Sequence, residues 1–294
     1  MNELDRRPVV AIMGPTASGK TALAVQLALV FGGELVNADS RQAIADVRVG
    51  VCKPTAAELL GVPCHGLDWR RIGEPYSAAE FALRARREIE EIWSRGKLPI
   101  LVGGTGLYMR GLVGGFDFGE LAPSPAMRSG SSYELSRIAP KVAAGVDLRN
   151  PRRVARALEL ARAGRQPAAR RPPWAAMRLA VQIERSELRA RIDARAHGLV
   201  GDLLAEEITR LRGQGVSDEL IRGIAIGYRE GLAWVDGHIS AVEAASAISG
   251  RTWRYARSQL TWLRSEPDLT RVSSFKDAEQ FVSLVWRRDS VTAP

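Results

Sequence analysis

The stretch Val9–Thr21, VVAIMGPTASGKT, decides the fold. Val9 to Met13 is an apolar run without polar alternation, the pattern of a parallel strand buried on both faces. Gly14 to Thr21 then satisfies GxxxxGK[ST] in full. Glycines at the ends of such a loop let the backbone wrap closely, so that N–H groups converge on phosphate oxygens. Lys20 adds a positive charge, the next helix points its N-terminus at the anion, and Thr21 can hold Mg²⁺. Thr21 to Phe31 carries apolar residues at helical spacing and stops at Gly32-Gly33. Strand, loop and helix in this order argue against a chance Gly-rich turn. The loop itself does not say which polyphosphate it holds.

Working outward, Glu34–Ala38 and Pro99–Val102 are further strand candidates, and Leu179–Ile183 reads as a strand returning to the sheet. Ser77–Arg95 is a predicted helix, with Ser77 as cap, Glu80 three residues on, and Phe81, Ile89, Ile92 and Trp93 on one face. This alternation predicts an α/β fold, a parallel sheet with helices on both faces. Pro151–Ala163, Ser186–Arg212 and Ala241–Arg264 are predicted helices, and the Gly/Pro-rich stretches 114–132 and 164–174 are connections. The expected division is a core of residues 1–113 and 178–265, a smaller, mostly helical, basic insertion over 114–177, and a tail from 266 to 294 with no assigned role.

Hydrophobic residues make up 46% and charged residues 26%, the profile of a globular chain rather than a disordered one. No apolar run reaches the roughly 18 residues that span a bilayer. The short apolar stretch near the N-terminus runs straight into the loop and reads as a core strand, not a signal peptide. Cys52 and Cys64 are too few for a disulfide scaffold and form no CxxC pair. A cytoplasmic protein with no membrane partner is expected. The net charge of +9 is concentrated: Met127–Arg195 holds sixteen Lys/Arg against six Asp/Glu, and the remainder 26 against 27. A surplus confined to one segment is the footprint expected for phosphate backbones, although an arginine-rich solvated helix face would look the same.

Three motifs sit where an α/β sheet places its ligand crevice or along the basic segment. Asp39-Ser40-Arg41-Gln42 follows the second strand. Its carboxylate can serve as a general base, a Mg²⁺ ligand or an N-cap. Gly103-Gly104-Thr105-Gly106-Leu107-Tyr108 follows the third strand and offers a close backbone approach with a hydroxyl. Arg152 and Arg156 share a face of the helix opened by Pro151, with Arg153 about a third of a turn away.

As an ordered set, these motifs resemble the tRNA dimethylallyltransferases, the IPP transferase family in its bacterial form. The likeness rests on GPTASGKT at Gly14–Thr21, NADSRQ at Asn37–Gln42, Lys53-Pro54, Tyr76-Ser77-Ala78 with Phe81, and LVGGTGLY at Leu101–Tyr108. It continues with Pro151-Arg152-Arg153, RALE at Arg156–Glu159, RID at Arg191–Asp193, IGYRE at Ile226–Glu230 and YARSQLTWLR at Tyr255–Arg264. The resemblance implies a P-loop NTPase-like core acting as a monomer. It implies that Gly14, Pro15, Thr16, Ala17, Ser18, Gly19, Lys20 and Thr21 bind the diphosphate of dimethylallyl diphosphate, with Mg²⁺ at Thr21. Asp39 would be the general base for N6 of adenine 37, and Thr105 the catalytic partner that positions the diphosphate bridge oxygen or the amine. The tRNA-contacting residues implied are Asp39, Ser40, Arg41, Gln42, Thr105, Arg128, Arg152, Arg153, Val154, Ala155 and Arg156.

The chain departs from the family pattern after Gln42, at Val51-Cys52, at Arg149-Asn150, and at Trp253 and Ser258 where arginines are common. Its basic insertion is also shorter than usual. Rival readings are prenyl transfer to a free adenylate, a P-loop small-molecule kinase, and an RNA-binding protein that kept the fold without catalysis. The confined positive charge speaks against the first, and intact Lys20, Thr21, Asp39 and Thr105 against the last.

Overall fold

The computed structural model describes residues 7–114, 131–164 and 174–286. Arg128 falls outside them. Six parallel strands form one sheet: β1 (Pro8–Met13), β2 (Gly33–Asn37), β3 (Cys64–His65), β4 (Leu98–Gly103), β5 (Ala175–Val181) and β6 (Thr270–Val272). Their order is β3-β2-β4-β1-β5-β6. Four helices lie in the first half of the core: α1 (Lys20–Phe31), α2 (Ala56–Leu59), α3 (Ala78–Ser94) and α4 (Gly106–Val113). The insertion contributes α5 (Ser132–Ile138), α6 (Pro140–Ala144) and α7 (Pro151–Arg162). After β5 come α8 (Arg185–Leu199), α9 (Asp202–Gly213), α10 (Asp218–Ile224), α11 (Tyr228–Val235), α12 (Ala241–Ser265) and α13 (Phe275–Val285).

Successive side chains of a strand point to opposite faces, so the unbroken apolar run of β1 feeds two cores at once. Val10 and Ile12 pack with Leu23, Leu27 and Phe31 of α1 and with Ala278 and Val282 of α13. Val9, Ala11 and Met13 pack with Phe81, Ala85 and Ile89 of α3 and with Tyr108 and Leu112 of α4. The expected sheet with helices on both faces is present. A third cluster joins Ile44 and Val47 to Leu204, Ile208 and Leu211 of α9 and to Tyr228. The insertion has a small core of its own, built on Leu135, Ala143, Val154 and Leu158.

Three expectations change. Ser186–Arg212 is not one helix, because Val200 and Gly201 are extended and α9 restarts at Asp202. Gly198 and Gly201 weaken the helix there. The break turns Leu204 and Ile208 toward the third cluster while Leu188 and Ile192 pack on Ala256 of α12. The returning strand runs Ala175–Val181 rather than Leu179–Ile183. Arg178 hides its early half from a hydrophobicity reading, since the guanidinium donates to the carbonyls of Val113 and Pro267. The stretch from 266, left without a role by its sequence, supplies β6, paired to β5, and α13. The core therefore starts its second part at Trp174, not at residue 178, and continues past 265 to Trp286.

Trp286 is buried, and its indole Nε1 donates to the carbonyl of Phe31 at 3.1 Å. Replacing it with alanine should cost about 3–5 kcal/mol, as for other buried Trp truncations. Urea unfolding of the full chain measures this, and a loss under about 1 kcal/mol, the scale of an ordinary surface change, would place the C-terminal helix outside the cooperative core.

Candidate active site

Strand register builds the site. Met13 pairs with Gly103, and Asn37 pairs with Val102. β2, β4 and β1 thus end at one level, and the loops that follow them open at one rim. From β1 comes the phosphate-loop sequence, from β2 Asp39, and from β4 Thr105. All three sequence-predicted elements are adjacent.

The loop after β1 is shaped by two left-handed residues, Ala17 at φ 64° and Gly19 at φ 88°. Alanine is uncommon in that region, so the loop carries backbone strain at Ala17. The Oγ of Ser18 is buried without a hydrogen-bond partner among the described residues. A buried hydroxyl of that kind has room for an acceptor such as a phosphate oxygen. The Lys20 Nζ donates to the Pro15 carbonyl at 2.7 Å. Burial pushes its pKa down to about 8; Asp39 opposes the shift and Arg195 adds to it.

Asp39 is anchored by one oxygen. Its Oδ1 accepts the Arg41 N–H at 2.9 Å, and Oδ2 has no partner among the described residues. The turn-capping and chemical readings of this carboxylate are therefore compatible. Thr105 precedes α4 but does not cap it; its hydroxyl oxygen accepts the Ser40 N–H at 3.1 Å, tying the β4 turn to the aspartate turn. Gln259 of α12 is the second tie. Its Oε1 accepts the Thr16 N–H at 2.8 Å and its Nε2 donates to the Gly104 carbonyl at 3.0 Å. The aromatic residues of the Tyr76 and Tyr108 motifs set the position of α4: Phe81 stacks on Tyr108 at 3.9 Å between centroids, and Tyr76 meets Tyr108 edge-on.

Two cavities meet at Asp39. One, of about 190 Å³, is ringed by Thr16–Thr21 together with Gly103 and Gly104. The other, of about 500 Å³, has Ile192, Ala196, Ile226 and Tyr255 in its walls. Thr16, Asp39, Gln42, Cys52 and Arg195 line both. Arg195 was not among the sequence-predicted residues. Its signal was its place four residues beyond Arg191 of the RID motif, on a helix that crosses the opening. Arg191 itself pairs with Glu187 at 2.6 Å.

The far wall of the larger cavity hangs on a buried carboxylate. Glu207 accepts the backbone N–H groups of Arg48, Val49 and Gly50 and the hydroxyl of Tyr228 at 2.6 Å. A Cβ on Gly50 would overlap the Tyr228 ring, so glycine is required for that approach. Gln42 then fixes the turn by donating to the Cys52 carbonyl at 2.8 Å. The tyrosine of IGYRE is thus a structural element of the wall. Trp253, which stands where the family favours arginine, packs beneath the guanidinium groups of Arg185 and Arg189. Ser258 donates to the Tyr255 carbonyl.

The chain matches the family model "IPP transferase" over residues 42–266. It belongs to the IPP transferase family. A curated tRNA dimethylallyltransferase of Thermomicrobium roseum is 42% identical over 276 residues, 88% of this chain and 84% of the relative. One from Shouchella clausii is 36% identical, covering 90% of this chain and 91% of the relative. The crystal structure of a Bacillus halodurans tRNA isopentenylpyrophosphate transferase superposes with a TM-score of 0.72 at 33% identity, over 96% of this chain and 97% of that one. A eukaryotic dimethylallyltransferase described as acting on tRNA gives 0.76 at 25% identity, over 95% of this chain and 77% of that one. The resemblance read from the motifs and the P-loop NTPase-like fold it implied are both borne out.

The basic stretch divides in the structure. Val154 turns into the core of the insertion, and Ala155 is buried as well. Arg156 is partly buried and donates to Glu159 at 2.9 Å. Arg153 is exposed; the side chain of Arg152 lies outside the described residues. Among described residues no helix is long and apolar enough to cross a membrane.

Tyr228→Phe keeps the ring against Gly50 and removes one donor from the buried Glu207 carboxylate. Losing a hydrogen bond to a charged group should cost about 1.5–3 kcal/mol, measured by chemical denaturation. An unchanged stability would show that the Glu207 knot does not hold the wall.

Proposed function

We propose that this chain transfers the dimethylallyl group of dimethylallyl diphosphate to N6 of adenine 37, beside the tRNA anticodon. The observation that carries this reading is the junction of two cavities at Asp39, a small one ringed by the phosphate loop and a larger one whose walls mix apolar side chains with Arg41, Arg195, Arg222 and Arg251. Family membership supplies the substrate class. In the proposed step N6 attacks the allylic carbon, the carbon–oxygen bond breaks, and the diphosphate leaves with the electron pair. The Asp39 carboxylate receives the N6 proton through its unengaged oxygen, held toward the junction by the Arg41 N–H. Thr105 keeps the aspartate turn in place through Ser40 and lines the nucleotide cavity. Charge on the leaving group is met by the loop N–H groups, the N-terminus of α1, Lys20 and Arg195.

Residues at the loop suit a divalent cation. The Thr21 hydroxyl at the start of α1 borders the small cavity, and Ser18 Oγ, also in its lining, is buried with no partner among the described residues. Mg²⁺ held at Thr21 would neutralise the diphosphate further. Thr105, which lines the larger cavity beside Asp39, is the residue proposed to position the bridge oxygen of the diphosphate or the amine.

Incubation with radiolabelled dimethylallyl diphosphate and tRNA, then nucleoside analysis, tests the reading; label appearing only in free adenylate, or phosphoryl transfer from ATP, would replace it. Asp39→Asn should lower kcat by ~10²–10⁴-fold with tRNA affinity nearly intact. A fall of less than about tenfold, below the ordinary contribution of a general base, would leave Asp39 a turn cap. Lys20 gives a pH signature. Its charge is present below about pH 8 and lost above it. Diphosphate affinity should therefore fall between pH 7 and 9, and Lys20→Gln should remove that dependence. A pH-independent wild-type affinity over this range would take Lys20 out of the site. Arg153→Ala should weaken tRNA binding and flatten the slope of log K against log salt by about 0.7–0.9. An unchanged slope would make Arg153 a solvated helix face.

A further inference from the structure

Beyond Arg41, on the side away from the phosphate loop, lies a second hollow of about 410 Å³. That is within the roughly 300–1,000 Å³ of small-ligand sites. It shares Arg41 and Gly223 with the larger cavity, and the only described contact drawn between those two is the Arg41 Nη1 donating to the Gly223 carbonyl at 3.3 Å. Its floor is apolar, formed by Ile44, Ile72, Leu220 and Ile224. Ile44 and Ile224 are buried, whereas Leu220 is 48% exposed, an aliphatic side chain facing the opening. Arg41, Arg70 and Glu219 complete the lining.

Arg70 is the informative residue. Its backbone is fixed beside the aspartate turn: its N–H donates to Ala43, its carbonyl accepts from Ala45, and it bridges to Ile44 in parallel register. Its Nη1 donates to the Glu74 carbonyl at 3.2 Å. The Nε is buried with no partner among the described residues. Burial, and after it the nearby Arg41, push the guanidinium below its ordinary pKa, against the opposing pull of Tyr108. Two like charges held together at the edge of an apolar floor cost energy without an anion between them. A nucleotide satisfies both features, its base on the floor and against a guanidinium plane, its phosphate between the arginines.

We infer that the hollow lined by Arg41, Arg70, Ile72 and Leu220 is a subsite for the nucleotide adjoining the reacting adenine in the RNA chain. Its occupant is continuous with that of the larger cavity, since the two spaces meet at Arg41. The inference rests on the RNA-prenylating reading proposed above. It makes Arg70 a binding residue that acts before chemistry, so its effect belongs in KM for RNA.

The test uses the full chain and an anticodon stem-loop RNA, intact or with the base removed from one or the other nucleotide flanking the reacting adenine. Arg70→Gln and Leu220→Asn are the variants; Leu220 is exposed, so its change does not threaten the fold. Each should raise KM for the intact RNA by roughly 5- to 100-fold, the range for one stacked base, with kcat and dimethylallyl diphosphate affinity close to wild type. Removing the base at one flank should impose a similar loss on wild type and little further loss on either variant, because the same contact is already gone. Unchanged KM values in both variants, or penalties that multiply at both flanks, would overturn the subsite while leaving RNA prenylation standing. A wild-type chain that prenylates no RNA loop would overturn the functional reading and the subsite with it.

Discussion

Backbone register between β2, β4 and β1 is the constraint on which the rest depends. Parallel strands of matched end levels bring three loops to one rim, and no side chain in those loops has to reach for another. The ties that follow are short, although they join residues far apart in the sequence. Ser40 meets Thr105, Thr16 and Gly104 meet Gln259, and each bond joins backbone to a side chain held in or at the start of a helix. Mounting reacting groups on strand ends limits their drift, which proximity effects in catalysis require. The helix α12 earns its length here: Tyr255 faces the large cavity, Gln259 the loop and Leu263 the sheet.

Charge is arranged by the same economy of partners. Glu34, Glu207 and Glu230 are buried, and each is satisfied: Glu34 by Arg95 and His65, Glu207 by three backbone N–H groups and Tyr228, Glu230 by Arg251 and the Gly227 N–H. A buried charge without such partners would destabilise the fold. Lys20 is the contrast. Its ammonium is desolvated, has Arg195 as a like-charged neighbour, and finds in Asp39 the carboxylate that favours its charge. The scaffold carboxylates are closed knots, and the loop is an open one.

The sequence was most legible where a motif forces backbone geometry. GxxxxGKT after an apolar run fixes strand, turn and helix together, and the structure follows it within a residue at each boundary. Asp39 and Thr105 were placed beside it by the rule that ligands lie beyond strand ends. Less legible were features made by packing across long separations. Nothing local in Gln259 announces that it will clasp Thr16, and Glu207 reads as one acid on an amphipathic helix until Gly50 and Tyr228 close around it. β6 escaped because a three-residue strand gives almost no pattern. α13 was legible, since Ser274 with Asp277 three residues on opens an amphipathic helix. The basic segment misled in part: composition counts charges, but only packing separates exposed Arg153 from Arg156, which is drawn onto Glu159.

On the proposed assignment, the open knot at Lys20 bears on the base as well as on the leaving group. In the chain alone the Lys20 ammonium is desolvated, and Asp39 is the carboxylate that favours its charge. A diphosphate entering the loop would take over the ammonium. Asp39 would keep its orientation in the exchange, because the Arg41 N–H grips Oδ1 independently of Lys20. Leaving group and base are then held by separate contacts, so filling the loop leaves the carboxylate aimed at the junction of the two cavities.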